Sequence, residues 1–186
     1  MDMRLTRAAL LAVTALSCAG AFAADAKSSL SSSDRKFMEK AAAGGMAEIQ
    51  LGSLAKQRGS SDEVKKFGAQ MSRDHSKASD ELREIASSKG VTLPTSLDRD
   101  ARDEMSKLSR LTGDKFDRAY MDHMVKDHQK DVKEFQQASK DAKDPDVKGF
   151  ASKTLAVIEG HLQVAQRTDD AIKARSEAAA PQKAAR

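Results

Sequence analysis

The sequence is poor in aromatic residues, proline and cysteine. Its 186 residues include six phenylalanines, one tyrosine, no tryptophan, three prolines and one cysteine. Because β-strands favour aromatic and β-branched residues, this composition argues against an aromatic-rich β-sandwich or barrel. It is typical of an all-α chain, in which alanine and long unbranched side chains lose little conformational entropy. The length suits one domain.

A strong excess of one charge is also missing. The 32 lysines and arginines against 28 aspartates and glutamates leave a net charge of +4. A mixed surface of this kind is not the electrostatic footprint of a protein that binds nucleic acid or a membrane surface. We therefore expect no nucleic-acid partner, while the oligomeric state, monomer or homodimer, stays open.

The first 23 residues have the pattern of a secretory signal peptide. Arg4 and Arg7 precede an apolar stretch at 8–16, and a small-x-small cleavage site ends at Ala23. The apolar stretch is about half the ~20 residues that span a bilayer, so we expect no transmembrane helix in the mature protein. Cleavage after Ala23 predicts a periplasmic or secreted protein. Lipoprotein processing at Cys18 is the alternative.

Composition divides the remaining chain into three parts. We expect a flexible segment at 24–32, a helical domain at 33–176 and a disordered tail at 177–186, which is rich in alanine and contains Pro181. When Cys18 leaves with the signal peptide, the mature protein has no thiol chemistry.

Capping patterns predict the first two helices of the domain. Asp34 opens the first helix, which ends near Gly59. The capping-box pair Ser60 and Glu63 opens the second, which ends near Gly90.

The same signals predict a short helix and two further long ones. A short helix at 98–111 precedes a long helix at 114–143, and then Asp144 and Pro145 supply the N-cap and first position of a helix that ends near Arg175. Each long helix carries one apolar stripe at i, i+3/i+4 spacing. Two antiparallel hairpins of this kind predict a four-helix bundle with an extra short helix between the hairpins.

The chain also repeats itself. Val64–Ala69 resembles Val147–Ser152, at the start of the second helix of each hairpin. An aromatic-x3-Met-x2-Asp-His pattern occurs at both 67–75 and 120–128. These similarities indicate an internal duplication, although amphipathic helices in general also resemble one another.

One ionisable residue interrupts the apolar stripe of each long helix. These residues are Glu48, His75, His128 and His161. At ~1.5 Å per residue, each lies ~17–25 Å from the turn of its hairpin, so all four are expected near mid-height of the bundle. Because an unpaired buried charge is strongly disfavoured, they must satisfy one another or hold a cation.

Two interpretations of these four residues stay open. Imidazole nitrogens and a carboxylate suit a divalent ion of iron, zinc, manganese or copper, and helical bundles build such sites from facing helices. Met71 and Met124, each one turn from a histidine, leave a softer copper site open. The alternative is a metal-free, hydrogen-bonded polar layer that sets the helix register.

Further polar residues flank the four. Asp74 and Asp127 precede histidines and point ~100° away around the helix, as additional ligands or as acceptors that orient the rings. Asp131 lies one turn beyond the histidine that follows Asp127, and it is placed to orient that ring. Tyr120 is placed to hydrogen-bond into the same layer or to pack, and His123 is expected on the flank or in solvent.

Several motifs carry a family resemblance. They are Glu48–Ala55, Val64–Phe67, Met71 with Asp74-His75, Leu93-Pro94, Leu108–Met121, Asp127-His128 and His161-Leu162. Together they resemble the exported domain of unknown function 4142, which is grouped with the ferritin-like superfamily. The resemblance covers residues 33–172 and implies a ferritin-like four-helix bundle in an exported bacterial protein, without identifying a reaction.

The ferritin-like relationship allows a comparison of metal ligands. Di-iron sites of that kind use a glutamate from two helices and Glu-x-x-His from the other two. Glu48 matches a lone glutamate, and His75 and His161 match the two histidines. The glutamates of the Glu-x-x-His pairs are absent, because their positions hold Ser72 and Ile158. The histidine of the third long helix stands where another carboxylate is expected. The resemblance therefore implies a histidine-rich mononuclear site.

The sequence thus predicts an exported metal-binding bundle that acts in envelope metal handling or stress response. A metal-free structural or interaction bundle is the alternative. No Ser-His-Asp order, phosphate loop or convincing pair of catalytic carboxylates indicates an enzyme, and an enzyme built on this site would be a metal-dependent oxidoreductase.

Overall fold

The computed structural model describes residues 30–183 and contains five α-helices in that range. They are α1 (Ser32–Arg58), α2 (Asp62–Lys89), α3 (Arg99–Ser109), α4 (Gly113–Asp141) and α5 (Pro145–Lys183). The predicted signal peptide and most of the predicted flexible segment lie outside the described residues. Between residues 30 and 183 there is no strand, and no helix there combines the length and apolar character needed to cross a membrane.

The helices form two antiparallel hairpins. α1 packs along α2 and α4 packs along α5, while the hairpins meet along α2–α5 and α1–α4. α3 lies in the connection between the hairpins and contacts both α1 and α4. The predicted all-α, antiparallel four-helix bundle with an extra short helix is therefore confirmed.

The starts of α1 and α2 differ by a few residues from the prediction. Ser31 caps α1, and its Oγ accepts from the backbone N–H of Asp34, which lies in the first turn instead of capping it. Ser61 caps α2 through an Oγ that accepts from the N–H of Val64. The predicted caps Asp34 and Ser60 are wrong because both make contacts with the opposite hairpin.

Each hairpin holds the turn of the other. The buried carboxylate of Asp34 in α1 accepts from backbone N–H groups at 143–144, in the α4–α5 turn, at 2.9–3.3 Å. The buried carboxylate of Asp117 in α4 accepts from the N–H groups at 60–61, in the α1–α2 turn, both at 2.8 Å. These reciprocal contacts join the two hairpins at both ends of the bundle.

A constant offset of 83 positions relates the hairpins. It pairs Asp34 with Asp117, Glu48 with Asp131, Ser61 with Asp144, and Val64 with Val147. Ser61 and Asp144 both cap the second helix of their hairpin and accept from the paired valine N–H groups. The structure therefore supports the duplication that Val64–Ala69 and Val147–Ser152 indicate, whereas the similarity of 67–75 to 120–128 has an offset of 53 and does not fit it.

The start of α5 agrees with the prediction, whereas its end does not. Asp144 accepts from the N–H of Val147, and Pro145 is the first helical residue. α5 continues to Lys183, past the predicted end near Arg175 and into the segment at 177–186 that was expected to be disordered. The alanines of this segment favour helix, which accounts for the extension.

The hydrophobic core consists of two clusters. The first contains Leu51, Ala55, Val64, Phe67, Met71, Leu108, Phe116, Tyr120, Met121, Met124, Ala165 and Ile172. The second contains Met38, Ala42, Leu82, Ala86, Val91, Phe135, Ala142, Val147, Phe150, Ala151 and Ile158. On every long helix, the ionisable residue of the apolar stripe falls between the residues of the two clusters. A buried polar layer thus separates two apolar cores.

Candidate metal centre

Three histidines from three helices meet in the polar layer. His75 on α2, His128 on α4 and His161 on α5 expose at most 7% of their surface. Their ring centroids lie 5.4–6.0 Å apart. The three helices therefore bring three imidazoles into one cluster, which we call the histidine cluster.

Hydrogen bonds occupy one ring nitrogen of His128 and one of His161. Nδ1 of His128 donates to the carbonyl of Met124 at 3.0 Å, and Nε2 of His161 donates to Oδ2 of Asp74 at 3.1 Å. Nε2 of His75, Nε2 of His128 and Nδ1 of His161 are buried without a hydrogen-bond partner. One nitrogen from each ring lies within 4.8 Å of the others.

Burial keeps these imidazoles neutral. It lowers the pKa of His75 to about 3, with a further contribution from the charge of His161. Burial, followed by the charges of the other two histidines, also lowers the pKa of His128 to about 3. The pKa of His161 is lowered by burial too, although its hydrogen bond to Asp74 opposes that effect. Neutral imidazoles offer the lone pairs that a metal ion requires.

Asp74 occupies the position of a carboxylate that orients a metal-binding histidine. It is partly exposed, accepts from His161 and lies 3.4 Å from the guanidinium Nε of Arg73. Partial burial alone would raise its pKa, but the hydrogen bond and charge of His161, together with Arg73, lower it. Acceptors of this kind hold the tautomer and the ring orientation of a ligating histidine.

Glu48 lies next to the histidine cluster and not inside it. Its Oε1 lies 3.9 Å from Nδ1 of His128, and that nitrogen already donates to a carbonyl. One carboxylate oxygen of Glu48 instead lies within 4.8 Å of oxygens of Asp127 and Asp131. We call these three residues the carboxylate cluster. The four predicted ligands therefore separate into the group of three histidines and a glutamate that belongs to a different group.

The remaining predicted residues have separate surroundings. Asp131 makes no hydrogen bond to His128, because the Met124 carbonyl takes that role. The hydroxyl of Tyr120 is buried without a partner, and its ring stacks on Phe116, so Tyr120 packs instead of hydrogen-bonding into the layer. His123 faces α3, with Nδ1 3.9 Å from a carboxylate oxygen of Glu104.

Two openings reach the histidine cluster. A groove of about 300 Å³ between α2 and α5 is lined by Asp74, His75 and Thr154. A small cavity of about 30 Å³ is lined by His75 and Asp131, and a space of that size holds one or two water molecules. An ion can therefore approach His75 from the surface.

Comparison with known protein families identifies the family of this sequence. The sequence matches the family described as Domain of unknown function (DUF4142) over residues 19–168. The chain belongs to this family. No curated protein matches the DUF4142 chain.

A solved structure shares the fold of the DUF4142 bundle. It is the crystal structure of a DUF305 fragment from Deinococcus radiodurans, with a TM-score of 0.68 and 15% sequence identity. The match covers 76% of this chain and 97% of the fragment. At this identity the similarity concerns the fold alone.

Asp127 and Asp131 join Glu48 in the structure, a grouping that the sequence did not predict. The spacing of Asp127 and Asp131 could have indicated part of it, because residues four apart lie on one face of a helix. The 83-residue offset, which pairs Glu48 with Asp131, carried the same information. In the DUF4142 bundle these equivalent carboxylates meet between α1 and α4.

Proposed function

We propose that this DUF4142 protein binds one divalent transition-metal ion through His75, His128 and His161. The observation that carries the proposal is that three buried histidines bring one ring nitrogen each to within 4.8 Å of the others, and that each of these rings also has a buried nitrogen without a hydrogen-bond partner. A buried polar atom left unsatisfied costs about 1–3 kcal/mol, so this arrangement is unfavourable until a ligand accepts all three lone pairs.

Spacing and orientation support a metal ligand. A zinc-bound imidazole nitrogen lies about 2.0–2.1 Å from the ion, so nitrogens up to 4.8 Å apart close onto one ion through small side-chain rotations. The opposite nitrogens of His128 and His161 are held by a carbonyl and a carboxylate. This arrangement resembles the acceptor contacts that orient metal-bound histidines in general.

The donor set narrows the choice of metal. Three neutral nitrogens favour zinc or copper, and iron next, over manganese, which prefers oxygen ligands. Three protein ligands leave a coordination position open, and the small cavity beside His75 offers room for water there.

The metal-free polar layer explains the geometry less well. A register-setting ladder requires hydrogen bonds among its members, whereas the described residues contain none between two of these histidines or between Glu48 and a histidine. The 3.9 Å separation of Glu48 and His128 is too long for a hydrogen bond.

We place the protein in metal handling or stress response in the cell envelope. The predicted signal peptide supports an exported location, and the cluster of three histidines supports a role that involves a metal ion. A metal-dependent oxidoreductase remains the form that catalysis at this centre would take.

Zinc binding by matched histidine variants tests the proposal. Equilibrium dialysis of the purified protein should give about one zinc per chain, and His128→Ala should weaken binding by at least about 100-fold because it removes a ligand. His123→Ala is the control, since it removes a histidine outside the cluster. Equal zinc binding by these two variants, or far less than one zinc in the wild type, would refute the proposal.

A further inference from the structure

The carboxylate cluster is a second concentration of unsatisfied ligand atoms. Glu48 is 1% exposed, and neither of its carboxylate oxygens has a hydrogen-bond partner. One of these oxygens lies within 4.8 Å of oxygens of Asp127 and Asp131, so the buried side chain is directed into the cluster. A buried carboxylate with both oxygens free is costly unless a proton or a cation joins it.

In the part of the chain that the structure describes, no lysine or arginine forms an ion pair with the cluster, although the charge of Lys130 lowers the pKa of Asp131 slightly. Among residues 30–183, neither Asp127 nor Asp131 forms an ion pair within 4.0 Å, and Glu48 approaches only the neutral imidazole of His128. Repulsion between these carboxylates contributes to two raised pKa values. Burial and the charges of Asp127 and Asp131 raise the pKa of Glu48, while burial, Asp127 and Glu134 raise that of Asp131 to about 7.

An acidic cleft leads to the cluster from the surface. It lies between α1, α3 and α4 and has a volume of about 440 Å³. Its ionisable lining is Lys40, Asp98, Asp100, Glu104, His123, Asp127, Lys130, Asp131 and Glu134. Six carboxylates against two lysines produce a negative potential, and a cleft of one sign concentrates ions of the other.

The 83-residue offset explains why the cluster is open on one side. Asp127 and His128 of α4 correspond to Gly44 and Gly45 of α1. A Cβ atom added at Gly44 would meet nothing within 4 Å, and Gly44 lines the acidic cleft. The first hairpin therefore presents empty space at Gly44, where the second presents the carboxylate of Asp127, whereas a Cβ atom at Gly45 would lie 3.1 Å from Oγ of Ser79.

We propose that Glu48, Asp127 and Asp131 form a second cation site, which takes a hard divalent cation such as Mn²⁺, Ca²⁺ or Mg²⁺ from the acidic cleft. Oxygen-only ligand sets suit these ions, whereas nitrogen sets suit zinc and copper. Manganese and calcium bind oxygens at about 2.1–2.6 Å, so oxygens within 4.8 Å of one another span one such ion. His128 separates this site from the histidine cluster.

Manganese binding separates this site from the histidine cluster. The electron paramagnetic resonance signal of free Mn²⁺ decreases as the ion binds to protein, so it gives the number of bound ions. The folded wild-type chain should bind about one. The double variant Asp127→Asn/Asp131→Asn should bind Mn²⁺ at least about tenfold more weakly, since it replaces two anionic ligands. His75→Ala/His161→Ala should retain Mn²⁺ within about threefold, because both imidazoles lie outside the carboxylate set.

Two controls keep the result interpretable. Glu104→Gln changes the same cleft at a residue that pairs with Lys107, and it should leave the Mn²⁺ affinity within about threefold. Circular dichroism confirms folding, and Glu48→Gln provides a second ligand variant that should also lose Mn²⁺.

Three results would overturn the second site. They are a folded wild type that binds no Mn²⁺, an aspartate double variant that binds as tightly as the wild type, and a histidine double variant that loses Mn²⁺. The first would mean that protons alone satisfy the carboxylates, and the last would mean one mixed site. Failure of the histidine site is distinguishable, because it removes zinc binding and leaves the manganese result intact.

Discussion

His128 presents its two ring nitrogens to two different chemical surroundings. Nδ1 is fixed by the Met124 carbonyl and faces Glu48, whereas Nε2 is buried and has no partner. A single side chain therefore divides the polar layer into a nitrogen-lined half and an oxygen-lined half. The kind of ligand atom that each half offers, nitrogen or oxygen, follows from this one orientation.

Asp131 links the carboxylate cluster to stability. Since the pKa of Asp131 is about 7 in the folded protein and near 3.8 in the unfolded chain, the folded state binds more protons between these values. Stability of the cation-free protein therefore falls as the pH rises from about 4 to about 7. Asp131→Asn removes the contribution of Asp131 to that loss and should stabilise the protein by about 3–4 kcal/mol at pH 8, with little difference near pH 4.

Urea unfolding in the presence of a chelator measures this effect. Asp80→Asn on the exposed face of α2 is the matched control, because it removes an exposed carboxylate paired only with Arg83. A constant difference between wild type and Asp131→Asn at pH 4 and pH 8 would contradict the linkage.

The sequence identified the residues of the site but not their grouping. Periodicity places Glu48, His75, His128 and His161 on apolar stripes and at one height, and both core clusters stop at these residues in the structure. The height of a residue along the bundle does not determine which side chains it meets at that height. The choice of partner depends on ring rotation and on which helices are neighbours, and neither follows from spacing within one helix.

Helix packing within the first hairpin depends on two glycines. A Cβ atom at Gly68 would lie 2.7 Å from the Cβ of Ala55 and from the carbonyl oxygen of Gly52, and one at Gly52 would lie 2.7 Å from the carbonyl oxygen of Gly68. These contacts bring α1 and α2 close together, just beyond the polar layer. Backbone atoms cannot yield as a flexible side chain can.

The same substitution should therefore have opposite effects at two glycines. Gly68→Ala forces α1 and α2 apart and should destabilise the protein by about 1–3 kcal/mol. Gly149→Ala in α5 meets nothing within 4 Å and should stabilise it by about 0.5–1 kcal/mol, because alanine favours helix. Chemical denaturation measures both, and destabilisation of equal size at the two positions would contradict the close-packing argument.

Helix number and type were predictable, whereas exact ends were not. Periodicity and capping patterns placed the helices within a few residues, except for the end of α5, since each long helix must bury an apolar stripe. The caps of α1 and α2 were misplaced because Asp34 and Ser60 form contacts between hairpins. Such contacts join residues far apart in sequence, so local patterns do not reveal them.

At the scale of the whole molecule, the two hairpins contribute unequally to the proposed metal centre. His75 belongs to the first hairpin, and His128 and His161 belong to the second. The reciprocal contacts of Asp34 and Asp117 hold the hairpins together at the ends, while the polar layer interrupts the apolar core between them. A bound ion would join the hairpins at the height where hydrophobic contact is weakest.

The exposed connection at 92–96 makes this dependence measurable by limited proteolysis. A chain cut there would become a split protein, whose two fragments are held only by noncovalent contacts. With zinc present, the fragments should co-elute in size-exclusion chromatography and dissociate at a higher urea concentration than with chelator, because the ion binds only the assembled form. Identical dissociation in zinc and in chelator would show that the ion does not connect the halves. A metal ion bound by histidines of both hairpins would thus add a bond between two fragments that otherwise rest on packing and hydrogen bonds alone.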